Sequence, residues 1–373
     1  MRILGLETSC DETSAAVVHR DGDTVTIEGL AILSQDVHRI FGGVVPELAS
    51  RAHLVAIDAV VDDALAQANA GIADIDAVAV TRGPGLLGAL LVGVTWAKTV
   101  AWREGLPLIG VHHLEGHLFA ATLESSDVRP PFTALLVSGG HTMLLDVPAW
   151  GEYLLLGQTR DDAVGEAFDK VGSLLGLDYP AGAVLERLAA TGDPARFVFP
   201  RPLLKNSAKP KAQRPRAHPA RVGPWASGFE LSLTATDPYA FSFSGLKTAV
   251  LRAVQQSPDV ARDRAAIARG FQDAAIDVLV AKTAFAAQSF HRDLVVIGGG
   301  VACNRALTEA MRGALLHHAR VAVATPRLNT DNAAMIAAAG SWRLMQGEHD
   351  GPDLDARDAL PLPGLRLPTG AIA

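Results

Sequence analysis

A pattern of apolar run, short polar turn and second apolar run occurs twice in this chain, and each copy opens one half of it. Residues 3–6 and 15–18 flank the hydroxyl-rich, acidic loop 7–14, and residues 133–137 and 142–145 flank Ser138-Gly139-Gly140-His141. Each copy reads as a strand, a turn and an antiparallel return strand. The repeat implies a duplicated architecture with a cleft between the halves, although hairpins are common enough that it names no fold by itself. Further strands are predicted at 77–80, 108–111 and 294–297, alternating with helical stretches such as 265–287, which makes this a mixed α/β protein.

The length, 373 residues, fits two domains of the usual ~150 residues. With 49% hydrophobic and 20% charged residues the chain is globular, and disorder and coiled coil are excluded as descriptions of the whole. Two cysteines, Cys10 and Cys303, cannot build a disulfide framework, so a reducing compartment is expected. The first six residues meet Glu7 too soon for a secretory h-region, and the uncharged stretch between Arg82 and Lys98 falls short of the ~20 residues of a membrane span. We therefore expect a cytoplasmic protein with no membrane partner.

A net charge of −7 excludes a protein that is basic all over. It conceals a local exception: segment 203–229 carries Lys205, Lys209, Lys211, Arg214, Arg216 and Arg221 with four prolines and no acid, and reads as a loop or arm suited to nucleic-acid phosphates. The tail 347–373, rich in Pro, Gly and Asp, is predicted to be frayed.

His113-Leu114-Glu115-Gly116-His117 places two imidazoles on one face of a helical turn, where both can bind one metal ion, although two ordinary core or surface histidines look the same. Glu115, two residues after the first His, points roughly 200° away, which disfavours a zinc peptidase of the H-E-x-x-H type. Asp331 reads first as a helix cap, and also as a carboxylate that would complete a two-His, one-carboxylate set suited to Fe(II) or Zn. Ser138-Gly139-Gly140, the run 297–304 and Gly83-Pro84-Gly85 are glycine turns at strand ends able to cradle phosphate, though none has the spacing of a Rossmann or P-loop motif. The stretch 161–172 is predicted as an amphipathic helix with Asp162, Glu166 and Asp169 on its polar face, where a ribose could bind.

Taken together, the strings 7–13 (ETSCDET), 43–53 (GVVPELASRAH), 81–93 (TRGPGLLGALLVG), 113–117 (HLEGH), 137–142 (VSGGHT), 165–170 (GEAFDK), 241–248 (FSFSGLKT) and 299–304 (GVACN) closely resemble the TsaD (Gcp) family, in order over residues 1–345. The resemblance implies an α/β actin-like ATPase (ASKHA) fold of two lobes around a nucleotide cleft. The first lobe would span 1–130, with 330–346 packing back on it, and the second 131–329. It implies an acyltransferase of t6A biosynthesis, moving the threonylcarbamoyl group from L-threonylcarbamoyladenylate to N6 of adenosine 37 in tRNAs that read codons beginning with A, with release of AMP.

Carried over by position, His113, His117 and Asp331 match the ligands of one divalent metal per subunit, Fe(II) before Zn. Leu136, Val137, Ser138, Gly139, Gly140, Asp169, Gly182 and Asn304 match the adenylate-binding positions, and Asp11 and Glu12 the acidic catalytic pair. Beyond tRNA, the implied partners are a paralogous non-catalytic subunit and a small P-loop ATPase subunit. The chain departs from the family at Pro180-Ala181-Gly182-Ala183, where Pro-Gly-Gly-Pro is usual and a methyl at Ala181 would narrow the pocket, and at 203–229, which looks like an insertion. The competing readings are a metallopeptidase, disfavoured by Glu115, and a non-catalytic nucleotide-binding scaffold, disfavoured because the ligand set is complete.

Overall fold

In a computed structural model that describes residues 1–205, 232–233 and 238–367, the two halves each build their own sheet. The first is β1 (Arg2–Glu7), β2 (Glu12–Asp21), β3 (Thr24–Ser34), β4 (Ala77–Gly83) and β5 (Leu108–His112), in the order β3-β2-β1-β4-β5. The three strands at one side are antiparallel and β1, β4 and β5 are parallel. The second sheet repeats the plan with β6 (Phe132–Val137), β7 (Thr142–Ala149) and β8 (Glu152–Gln158) antiparallel. A two-residue ladder of β9 (Leu204–Lys205) with β10 (Ser232–Leu233) stands apart, and β11 (Leu294–Gly298) and β12 (Arg320–Val323) extend the sheet in parallel from β6. The repeat seen in the sequence is thus a repeat of sheets.

Helices α1 (Pro46–Gln67) and α2 (Leu87–Glu104) cover one face of the first sheet, burying Ile57, Val61, Leu90 and Val94 against Leu4, Leu6, Val78 and Val80. The chain continues through α3 (His113–Ala120), α4 (Val164–Leu174), α5 (Gly182–Ala189), α6 (Ser244–Gln256), α7 (Val260–Ser289), α8 (Arg305–Leu315) and the single turn α9 (Pro326–Asn329) to α10 (Ala333–Met345), which covers the other face of the first sheet. The almost side-chain-free Ala333-Ala334 and Ala337-Ala338-Ala339 of α10 let it lie directly on β1: a Cβ on Gly5 would come 2.4 Å from the Ala333 carbonyl oxygen. α7, buried along most of its length, is the spine of the second lobe.

α3 sits between the lobes. Leu114 and Leu118 enter the core beneath the second sheet with Phe132 and Leu136, while Phe119 and Ala120 join the core of the first lobe with α10.

The expected frayed tail is instead a packed strap over its described part, to residue 367. Asp350 N donates to Leu108 O at 2.7 Å and Asp350 Oδ2 accepts from Gly110 N at 2.8 Å; Arg357 N donates to Arg82 O, and Leu360 O accepts from His112 Nε2. Leu354 and Ala356 are buried in the first lobe and Leu362 in the second, and β13 (Leu365–Arg366) pairs with β8. Composition misled because the tail makes its hydrogen bonds with distant backbone, and sequence periodicity does not report such bonds. The basic arm, apart from its first three residues, lies outside the described residues.

Candidate active site and metal centre

Between the lobes is a cavity of about 670 Å³. Its first-lobe wall is the β1–β2 loop with Cys10, Asp11 and Glu12, the turn 84–86, His113 and Asp331; its second-lobe wall is Ser138–His141, Asp169, Tyr179, Gly182, Glu186, Gly300, Val301, Cys303 and Asn304. Among the sequence-predicted site residues, Leu136 and Val137 lead into the cavity rather than offering it side chains. They end β6, their side chains enter the cores on opposite faces of the sheet, and neither lines the cavity. Ser138, Gly139 and Gly140 do line it, and a Cβ on either glycine would meet no atom within 4 Å, so the turn presents bare backbone to the cleft.

The three glycine turns differ. Gly85 is pressed against the first loop, where a Cβ would lie 2.6 Å from Ser9 O, and Leu86 N donates to the same oxygen at 2.8 Å. That turn supports the loop beside it. Gly299 has φ +96° and would drive a Cβ to 2.5 Å from Val137 O, whereas Gly300 faces open space.

The helix predicted over 161–172 begins at Val164, so Asp162 precedes it and pairs with Lys247; Glu166 pairs with Lys170, and of the three acids only Asp169 reaches the cavity. Asp169 Oδ1 accepts from Ala181 N at 2.9 Å, and burial pushes its carboxyl above the usual range. Ala181 does not narrow the pocket: its methyl is buried against Gly172, and it is Ala183 that lines the cavity. Asn304 caps α8, its Oδ1 accepting from Leu307 N at 3.0 Å and its Nδ2 donating to Gln272 Oε1 at 3.0 Å. It faces the cleft with only its spare donor and acceptor capacity.

The cap of α10 is Asn332, not Asp331: Asn332 Oδ1 accepts from Met335 N at 3.1 Å. Asp331 is thereby released to face α3, with Oδ1 3.5 Å from His113 Nε2 and 3.3 Å from His117 Nε2. One donor atom from each of the three lies within 4.8 Å of the others. His117 is buried, and among the described residues its Nδ1 has no hydrogen-bond partner while its Nε2 meets only Asp331 Oδ1, at 3.3 Å and outside good hydrogen-bond geometry. Leaving two such atoms unpaired is costly unless an ion takes one of them. His113 is held from behind, its Nδ1 3.0 Å from Glu7 Oε2, which leaves Nε2 for the ion. Two imidazoles and one carboxylate thus fit a divalent transition metal.

Glu7, at the end of β1, also accepts from Ser9 N at 2.5 Å and Thr81 Oγ1 at 2.7 Å. Burial opposes its ionisation, but His113 beside it holds the carboxyl below the usual range. For His113, burial is outweighed by Asp331 and Glu7, which push it up to about 9; Asp331 is held well below the carboxylate range, burial notwithstanding, by His113 and His117. Burial, with His113 and His117 adding to it, lowers His141 to about 4. Burial together with Asp331 and Asp11 raises Glu12 to about 10.

Sequence reasoning passed over Glu7, His141, Tyr179 and Glu186 as site residues. A charge ending an apolar strand was a usable signal for Glu7. Glu186 had none, because its contact with Arg305 N at 2.7 Å joins residues that only the fold brings together.

A family model described as TsaD: tRNA N6-adenosine threonylcarbamoyltransferase matches residues 26–338. The tRNA N6-adenosine threonylcarbamoyltransferase of Gemmatimonas aurantiaca is 56% identical over 375 residues, covering 98% of this chain and 98% of that protein. The chain belongs to the TsaD family. The TsaD relative from Geobacter metallireducens is 48% identical over 369 residues, again with 98% of each chain covered.

TsaD membership makes the chain an acyltransferase and disposes of the peptidase reading. Among solved structures, component A of (R)-2-hydroxyglutaryl-CoA dehydratase from Acidaminococcus fermentans superposes with a TM-score of 0.51 at 13% identity, over 92% of this chain and 99% of that one. HypF from T. kodakarensis gives 0.57 at 12% identity, over 93% of this chain and 48% of that one. At such identities the likeness is one of fold, the actin-like ATPase fold. No helix among the described residues is long and apolar enough to cross a membrane.

Proposed function

We propose that this cleft transfers the threonylcarbamoyl group from L-threonylcarbamoyladenylate to N6 of adenosine 37 in tRNAs reading codons that begin with A. The observation that carries the reading is the juxtaposition of a bare glycine turn from one lobe and the His113–His117–Asp331 cluster from the other, His113 and Asp331 lining the same cavity as the turn. The backbone of Ser138–Gly140 receives the adenylate phosphate, Asp169 binds ribose, and Gly182 and Asn304 border the nucleotide. A divalent metal held by His113, His117 and Asp331, Fe(II) before Zn, supplies Lewis acidity towards the carbamoyl carbonyl when bound.

N6 of the adenosine attacks the carbamoyl carbon, the bond from that carbon to the phosphate oxygen breaks, and AMP leaves with the electron pair. Glu12, whose ionisation is opposed by burial and by the neighbouring Asp331 and Asp11, is suited to donate a hydrogen bond in the cleft, and Asp11 is the member of the pair assigned to take the N6 proton. The reading brings with it a cytoplasmic location, a paralogous non-catalytic subunit and a small P-loop ATPase as partners.

The test incubates the purified chain and those partners with threonine, bicarbonate, ATP and unmodified tRNA, followed by mass spectrometry of the nucleosides. Modified adenosine is expected, and its absence with every other component proven active would refute the transferase reading. Joint His113→Ala and His117→Ala substitution should abolish bound iron or zinc; unchanged metal content would show that the ligands are misassigned.

A further inference from the structure

The HLEGH segment contains a glutamate that the metal centre does not use. Glu115 points away from His113 and His117 and is fully buried, where an unpaired charge would be strongly destabilising. Its Oε1 accepts from Tyr153 Oη at 2.6 Å and from Arg343 Nη2 at 2.8 Å, and its Oε2 from Arg343 Nε at 2.5 Å. These partners come from different parts of the molecule. Tyr153 belongs to β8 in the second lobe, and Arg343 lies near the end of α10, the helix whose start is flanked by Asp331. Between the two attachment points α3 and α10 touch, since a Cβ on Gly116 would come 2.8 Å from Ile336 Cδ1.

We propose that Glu115, Arg343 and Tyr153 are positioning residues that set how α3 lies on α10, and therefore whether His113 and His117 meet Asp331, and that Tyr153 makes this setting depend on the second lobe. Apolar packing alone holds two helices together without defining their rotation or their slide. A bidentate guanidinium–carboxylate pair has a preferred plane and direction, so it defines both. The proposal rests on the metal-ligand reading above, and its test separates the two.

Co²⁺ serves as the probe, titrated into the full chain while its visible absorption is followed, with thermal stability measured in parallel. Glu115→Gln should weaken Co²⁺ binding about 10–100-fold and alter the cobalt spectrum, as expected for a partner that orients ligands. Tyr153→Phe keeps the Arg343 pair and should weaken binding several-fold with little loss of stability. Asp146→Asn breaks a comparable bidentate pair with Arg292, at 2.6 and 2.9 Å, within the second lobe; it should lower stability and leave Co²⁺ affinity unchanged.

Folded Glu115→Gln and Tyr153→Phe variants that bind Co²⁺ within twofold of the parent overturn the proposal. So does an Asp146→Asn variant whose binding weakens equally. Should Glu115→Gln not fold, Tyr153→Phe decides alone. Undiminished Co²⁺ binding by the His113→Ala, His117→Ala variant refutes the metal centre itself, and this proposal with it.

Discussion

Leu354→Ala tests whether the carboxyl-terminal strap is part of the core or lies loosely over it. The side chain is 3% exposed and packs beneath the strap against β5, close enough that a Cβ on Gly110 would lie 2.6 Å from its Cδ1. Its carbonyl accepts from Lys98 Nζ at 2.9 Å, which ties the strap to α2 at this residue. Truncating a buried leucine costs about 2–5 kcal/mol, the transfer energy plus a residual cavity. Here the flanking residues are exposed and the strap can settle inward, which places the expected loss near the low end, about 2–3 kcal/mol. In a chain of this size that corresponds to a fall in melting temperature of roughly 3–4 °C. Equilibrium urea unfolding measures it, with the exposed Asp353→Ala as a control that should stay within ~0.5 kcal/mol. A Leu354→Ala loss no larger than the control would refute the packed strap and restore the frayed tail that composition implied.

Three further outcomes follow from the same structure. Glu7→Gln puts an amide where three donors converge, so either a buried N–H loses its acceptor or His113 shifts its proton onto Nε2, the nitrogen needed by the metal; metal affinity measured by titration should fall about 10–100-fold, and an unchanged affinity would contradict the assigned tautomer. Asn332→Ala should cost about 1 kcal/mol as a lost cap and also reduce bound metal by loosening Asp331, both readable on one preparation by unfolding and elemental analysis, with intact metal content speaking against the coupling.

His53 is held below the ordinary imidazole value of 6.5 by burial, and its neutral form bridges Thr13 Oγ1 at 2.8 Å and Cys10 O at 2.9 Å. Below pH 6.5 the unfolded chain therefore binds this proton before the folded one does, and stability drops as pH falls from 6.5 towards the folded value. His53→Gln should make the difference in stability between pH 7.5 and pH 5.5 smaller in its acid-destabilising part than in the parent, and identical pH profiles would show that His53 does not titrate as described.

How much of this was legible in the sequence varies with the kind of interaction. The hairpins were readable because alternation and glycine turns are local, and the lining by Ser138–Gly140 followed from them. The His113 and His117 pair was readable because the spacing i, i+4 is a property of one helical turn. Asp331 was ambiguous, since Asp and Asn are both good caps and adjacent residues competed for the role; the structure assigns the cap to Asn332. That the side chains of Leu136 and Val137 enter the cores was not legible, because a strand leading to a site looks, in one dimension, like part of it. Glu115 was recognised only as pointing the wrong way for a peptidase, and its partners, Tyr153 and Arg343, lie 38 and 228 residues away.

By itself, then, the sequence determined the two-part α/β plan, the family and the pairing of His113 with His117 on one helical turn, all of which depend on residue types in short, ordered strings. The tertiary structure decided the rest: which acid faces the imidazoles, which glycines face the cleft and which merely pack, and that the tail is a strap. Those are contacts between residues far apart in the chain, and their geometry is set by how whole sheets and helices pack, which no local pattern encodes.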